Sequence, residues 1–217
     1  VRFIYAHSLD WYLSIDDGKD AIDLSLEEDQ LDLHGWELRK ALSLLRKSNP
    51  SLLEWLQSDV LYRLHPKFAE ELQGLAYKCF SPIAGLHHYL RMAEGNYRKL
   101  MQRGDTSAKF YFNILRPLLA AEYIVQYYRI PPLLFKELVE SVPLEPEVSD
   151  EINNLKRWKM YGIEQEQSLE QSNSLQVLEH FFMEKIQDLK QSAKSLPAQS
   201  TDYTAELNAL FRKMIKD

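Results

Sequence analysis

Cysteine is almost absent. Cys79 is the single thiol in the chain, so no internal disulfide framework exists, and that fits a reducing compartment. A cytoplasmic location is therefore expected. Apolar runs are short: none reaches the roughly 18 residues of a membrane span, and nothing resembles a signal peptide. Positive charge is not in excess either. A formal net charge of -6 and a pI of about 5.6 exclude a surface built throughout to coat a polyanion. The seven glycines are scattered and form no phosphate-cradling loop, nucleophile elbow or dinucleotide fingerprint. Metal-ligand spacing is missing too. Cys79 has no partner at such a spacing, and His87 and His88 are adjacent and point apart on a helix, which argues against zinc.

What is present is the composition of a globular protein. The 217 residues are 45% hydrophobic and 27% charged, enough to bury one large core or two smaller ones. The first six residues, VRFIYA, are β-branched and aromatic and read as a buried strand that opens at Val1 without a lead-in. The chain is therefore expected to be a fragment. Ser8-Leu9-Asp10 caps a short helical turn carrying Trp11, Tyr12 and Leu13, and Asp16-Asp17-Gly18 signals a turn. Residues 21–26 read as a second strand, followed by an acidic bend at Glu27-Glu28-Asp29.

Leu31-Asp32-Leu33 reads as a third strand running through His34-Gly35 into an amphipathic helix at 36–47. An acid between two strand leucines points to the face opposite them. A second helix is expected at 51–56, and DVLYRL at 59–64 reads as one more strand. From Pro66 onward the pattern is helical: 66–80, 83–102, 107–128, 133–139, 149–161, 175–193 and 203–215. The expectation is an α+β chain with a sheet-bearing part, 1–64, followed by an all-helical part, 65–217. The polar run at 165–173 reads as a linker, and the helices at 175–193 and 203–215 are expected to close the helical part or to offer a partner surface. The four tryptophans read as packing residues.

Charge is unevenly spread. Residues 1–33 hold nine acids and two bases, whereas residues 87–117 hold six bases and two acids. An acidic sheet with a basic helical layer suits a metal on one wall and phosphates on the other; two solvated faces would look the same. On the basic stretch, Lys109, Asn113 and Arg116 fall on one helix face, able to present fixed cations and an amide to phosphates, with Tyr111 in the same segment. Pro117 is expected to kink that helix and expose carbonyls near Arg116. His88, Tyr89 and Asn96 form a second cluster, suited to stacking and edge-reading of a nucleobase or to a satisfied helix interface.

Five segments in order, VRFIYAHSLDWYLSI, LDLHGWELRKAL, SNPSLLEWLQS, HHYLRMAEGNY and KFYFNILRPLLAAEYI, resemble the YcgL-type nucleotidyltransferases. These are an RNA-repair-associated bacterial branch of the DNA polymerase beta-like superfamily. The resemblance covers residues 1 to about 165. It implies a small nucleotidyltransferase sheet followed by a helical domain, an NTP substrate, Mg²⁺ and a hydroxyl acceptor that is RNA, protein or a small molecule.

In that family a Gly-Ser motif and an Asp-x-Asp pair come just before the segment matching Val1–Tyr5, and a third acid lies in a hydrophobic-acid-hydrophobic strand. Asp32 matches the third acid; the other motifs have no counterpart in this chain. Three acids are needed because two divalent ions must bridge the triphosphate and hold the attacking and leaving oxygens in line. The third either completes the metal set or accepts the hydroxyl proton. The resemblance makes Asp32 the catalytic and metal-site residue; from their placement on the helices, Lys109 and Arg116, with Tyr111, are expected to contact the triphosphate, and His88, Tyr89 and Asn96 the nucleotide or acceptor. With one carboxylate of three, the chain alone is expected to be inactive. The competing expectation is a non-catalytic helical module that binds protein or RNA.

Overall fold

The structure is a computed structural model. It describes residues 1–15, 18–26, 30–103, 107–161, 169–197 and 201–216, with the side chains of 103, 161 and 169–174 left aside. The turns read at 16–17, 27–29 and 104–105 lie outside the described residues. The class is α+β: one small sheet and a mainly helical remainder. Two compact units form, one of residues Val1–Ser81 with Ser200–Asp217 and one of Pro82–Gln199.

The first unit is organised around a three-stranded sheet. Strand β1 (Arg2–Tyr5) is followed by the helical turn α1 (Leu9–Tyr12), then β2 (Ala21–Leu26) and β3 (Leu31–Glu37). The order is β1-β3-β2, with β3 central, parallel to β1 and antiparallel to β2. Pairing partners share a face. Hence Arg2, Asp23, Ser25, Asp32, His34 and Trp36 stand on one face, while Phe3, Leu33 and Gly35 stand on the other. Gly35 is required there: a Cβ would come within 2.4 Å of the Phe3 ring.

Strand β3 runs to Glu37, so the helix expected from Trp36 starts at Leu38 as α2 (Leu38–Arg46). Pairing overrides the helical pattern here. Trp36 pairs with Ile4 and Ala21, and its ring stacks on Trp55 at 3.9 Å between centroids. Glu37 then caps the helix: buried to 2% exposure, its carboxylate accepts from the backbone nitrogens of Arg39 (2.7 Å) and Lys40 (3.2 Å) and from the Tyr12 hydroxyl.

The short α3 (Pro50–Trp55) starts at a proline and is capped by Asn49, whose Oδ1 accepts from the Leu52 nitrogen at 3.2 Å. Residues 59–64 form no strand. Val60, Leu61, Tyr62 and Leu64 are exposed, and a run of apolar residues without a neighbouring strand has nothing to ladder with. Helix α4 (Pro66–Cys79) packs on α2 and is joined there by α10 (Thr204–Met214), the last helix of the chain, which had been expected to close the helical part. Leu72, Ala76, Leu207 and Leu210 are buried with Leu38, Leu42 and Leu45 of α2. A 64/65 division would therefore part α4 from the helix it packs against. Ser48, in the left-handed region at φ 53°, ties the connection: its hydroxyl donates to the Cys79 carbonyl (2.9 Å) and accepts from the Ser81 nitrogen (2.8 Å).

The second unit is helical throughout its described residues: α5 (Pro82–Arg103), α6 (Ala108–Tyr127), α7 (Phe135–Ser141), α8 (Pro146–Tyr161) and α9 (Leu169–Ser192). The linker reading at 165–173 falls partly outside the described residues; Leu169 already belongs to α9. Helix α6 is the apolar centre, with Tyr111, Ile114, Leu115, Leu118, Ala121 and Ile124 fully buried against α5 and α9. The stripe that supplies Ile114 and Leu118 reads directly from the sequence at helical spacing.

Pro117 lies inside α6 without ending it. A proline has no N–H to give the carbonyl four residues back, which here is that of Asn113. Asn96 of α5 takes that place: its side-chain nitrogen donates to the Asn113 carbonyl at 2.7 Å. The carbonyl that Pro117 leaves open is thus paired with α5.

Candidate functional site

Asp32 is the second residue of β3, on the face opposite Leu31 and Leu33, as the alternation requires. Its side chain is exposed (62%). Arg2 on the neighbouring β1 donates to Asp32 Oδ2 at 2.8 Å and reaches the Asp32 carbonyl at 3.4 Å. This hydrogen bond, and then the guanidinium charge, hold the Asp32 carboxyl below the usual carboxylate range. Two residues further along the same face, His34 contacts Asp23 of β2 directly through Nδ1. The His34 ring also lies edge-on to Trp36 and Trp55, which close the inner end of this face. The open end of the face therefore carries Arg2, Asp32, Asp23 and His34, drawn from three strands.

Of these four, the sequence reading singled out Asp32. Alternation alone gives each strand a face, but which residues become neighbours depends on register, and register depends on pairings between distant segments. The signal that could have found the others is the shared alternation of Arg2, Asp23 and His34 with Asp32.

The remaining expected site residues belong to the second unit. Lys109 is exposed on the first turn of α6. Arg116 is partly buried, and its Nη1 donates to the Leu133 carbonyl at 2.7 Å. Tyr111 is fully buried; its hydroxyl donates to Glu179 at 2.6 Å and its ring leans on Phe182. Tyr89 is 4% exposed, with the half-buried His88 edge-on to it at 6.0 Å. Asn96 donates to Asn113, as described above. The structure thus joins Asn96 to the α6 face of Lys109, Asn113 and Arg116, and it puts Tyr89 and Tyr111 in the helical core.

A divalent ion needs several oxygen ligands at one spot. The described residues do not supply them. No group of three His, Cys, Asp or Glu side chains able to hold a metal occurs among them, and the one carboxylate expected to do so, Asp32, is engaged by Arg2. Among the described residues, no helix is long and apolar enough to cross a membrane.

The comparisons with known proteins agree with one another. Residues 1–213 match the family model described as "RNA repair pathway DNA polymerase beta family". The chain is 38% identical to the uncharacterized protein YcgL of Bacillus subtilis (strain 168) over 217 residues, covering 100% of this chain and 82% of that protein. No solved structure matches.

Proposed function

The chain belongs to the RNA repair pathway DNA polymerase beta family, and from that premise we propose that it is part of a nucleotidyltransferase that moves a nucleoside monophosphate from an NTP to a hydroxyl of RNA. The hydroxyl oxygen bonds to the α-phosphorus, the bond from that phosphorus to the bridging oxygen breaks, and pyrophosphate leaves. Asp32 is the third carboxylate of the site, completing its ligand set or taking the hydroxyl proton.

What supports this role is the register of β1 on β3. Arg2 pairs with His34, and the ladder continues one step further: the Val1 nitrogen donates to the Asp32 carbonyl and the His34 nitrogen to the Val1 carbonyl at 3.0 Å. Val1 therefore stands beside Leu33, and a residue preceding Val1 on the same strand stands beside Asp32 and shares its face. In the family that position ends the Asp-x-Asp pair. Such a placement would gather the three acids on two adjacent parallel strands, with Mg²⁺ as the ion they serve. Arg2, on the same face, keeps the Asp32 carboxylate ionised and oriented until a cation competes for it.

The test is a transfer assay. The full-length protein is incubated with each of the four α-³²P-labelled NTPs and with total cellular RNA and protein. Label on RNA from at least one NTP is expected. Label on protein alone would overturn the acceptor, and no transfer from any NTP would overturn the reaction.

A further inference from the structure

Helices α6, α7 and α8 enclose an open hollow of about 540 Å³, lined by Phe112, Arg116, Phe135, Lys156, Lys159 and Met160. The Phe112 and Phe135 rings meet edge to face at 5.2 Å between centroids and make its floor, and Met160 stands at its edge, 77% exposed. Among the described residues that line the hollow, three are cations and none is acidic. Lys156 Nζ lies 5.7 Å from the Phe135 centroid and Lys159 Nζ 5.3 Å from that of Phe112. Among the described residues neither amine forms an ion pair: Lys156 reaches the amide oxygen of Asn153 at 3.5 Å, and Lys159 has its aromatic contact. Arg116 is fixed at the rim by its bond to the Leu133 carbonyl.

Flat apolar surface bordered by two ammonium groups that form no ion pair among the described residues is complementary to a base with its phosphates. An acidic peptide would satisfy the cations but has no use for the aromatic floor. An apolar peptide would leave both ammonium groups uncompensated. We propose that this hollow is a binding site for a single-stranded nucleic acid: a base lies against Phe112, Phe135 and Met160, and the flanking phosphates reach Lys156, Lys159 and Arg116. The site deepens the reading above, since it is where the acceptor strand would be gripped. It is measured by binding alone and does not depend on Asp32.

The experiment follows fluorescence anisotropy of labelled single-stranded RNA of about ten nucleotides, within the usual site size for such surfaces. DNA of the same sequence and a polyglutamate peptide are run beside it. The Lys156→Ala/Lys159→Ala double variant should weaken RNA binding at least about tenfold at low salt. It should also flatten the slope of log affinity against log salt by about 1.4, two contacts at about 0.7 each for single strands. Phe112→Leu keeps an apolar floor but loses the ring and should weaken binding with the circular dichroism unchanged. The same losses on DNA support the site as one for single strands in general, and a preference for RNA names its source. RNA binding by the unmodified chain that the Lys156→Ala/Lys159→Ala variant loses, beside a failed transfer assay, leaves this site standing. Unchanged affinity and salt slope in the double variant would overturn the proposal, as would tighter binding of polyglutamate than of either strand.

Discussion

Asn96→Ala asks whether the Asn96 amide serves the fold. The amide donates at 2.7 Å to the carbonyl of Asn113, which lacks its helical partner because residue 117 is proline. Truncation removes one hydrogen bond between α5 and α6. A typical net contribution of such a bond is about 1 kcal/mol. For a chain of this length, that corresponds to a melting temperature lower by roughly 2–4 °C. Pro117→Ala provides the control. Alanine brings back an N–H that can reach the Asn113 carbonyl within α6, so the carbonyl no longer needs α5. In that background Asn96→Ala should cost close to nothing, giving a coupling of about 1 kcal/mol in the double-mutant cycle. Urea denaturation of all four proteins, followed by far-UV circular dichroism, measures it. An Asn96→Ala variant as stable as its parent, or equally destabilising in both backgrounds, would refute the reasoning and leave the amide available for a ligand.

Two further outcomes follow from local structure. Tyr12 donates to the buried Glu37, and burial first, then that hydrogen bond, raise its phenol above the ordinary tyrosine value of 10.0. A group whose folded pKa is raised contributes stability below its unfolded pKa and loses it as pH rises. The advantage of the parent chain over Tyr12→Phe in urea should therefore be constant below pH about 10 and shrink above it; an advantage that grows with alkaline pH would contradict the contact. Tyr128 ends α6 in the left-handed region at φ 55° and ψ 31°, with its nitrogen donating to the Ile124 carbonyl at 2.9 Å. That conformation costs a non-glycine residue about 1 kcal/mol. Tyr128→Gly should raise the melting temperature by roughly 2–4 °C, and a lower value would show that the exposed ring contributes more than the strain costs.

The helices after Pro66 and the three N-terminal strands were legible because each carries its own period of apolar residues, 3.6 or 2. The errors arose where a distant partner decides. Trp36 looks like the first residue of a helix, yet it pairs with Ile4 and Ala21 and stacks on Trp55. DVLYRL looks like a strand and finds no neighbour. The last helix looks like a lid for the helical part and returns to α2 and α4. The candidate site followed the same rule. The facing of Asp32 could be read from its two flanking leucines and its expected role from the family resemblance, whereas Arg2, Asp23 and His34 join it through register. Lys156 and Lys159 join Phe112 and Arg116 through helix packing. Pro117 was read as exposing a carbonyl; that the carbonyl would be taken by Asn96 depends on the α5–α6 register.

We propose that Asp32 is a working carboxylate of a nucleotidyltransferase site. Its side chain is exposed and its partner is a surface arginine, so Asp32→Asn should leave the circular dichroism and melting temperature of the full-length protein unchanged. In the labelled-NTP assay with RNA, the same variant should lose transfer by at least about a hundredfold. A folded Asp32→Asn variant that transfers label at the rate of its parent would contradict the account.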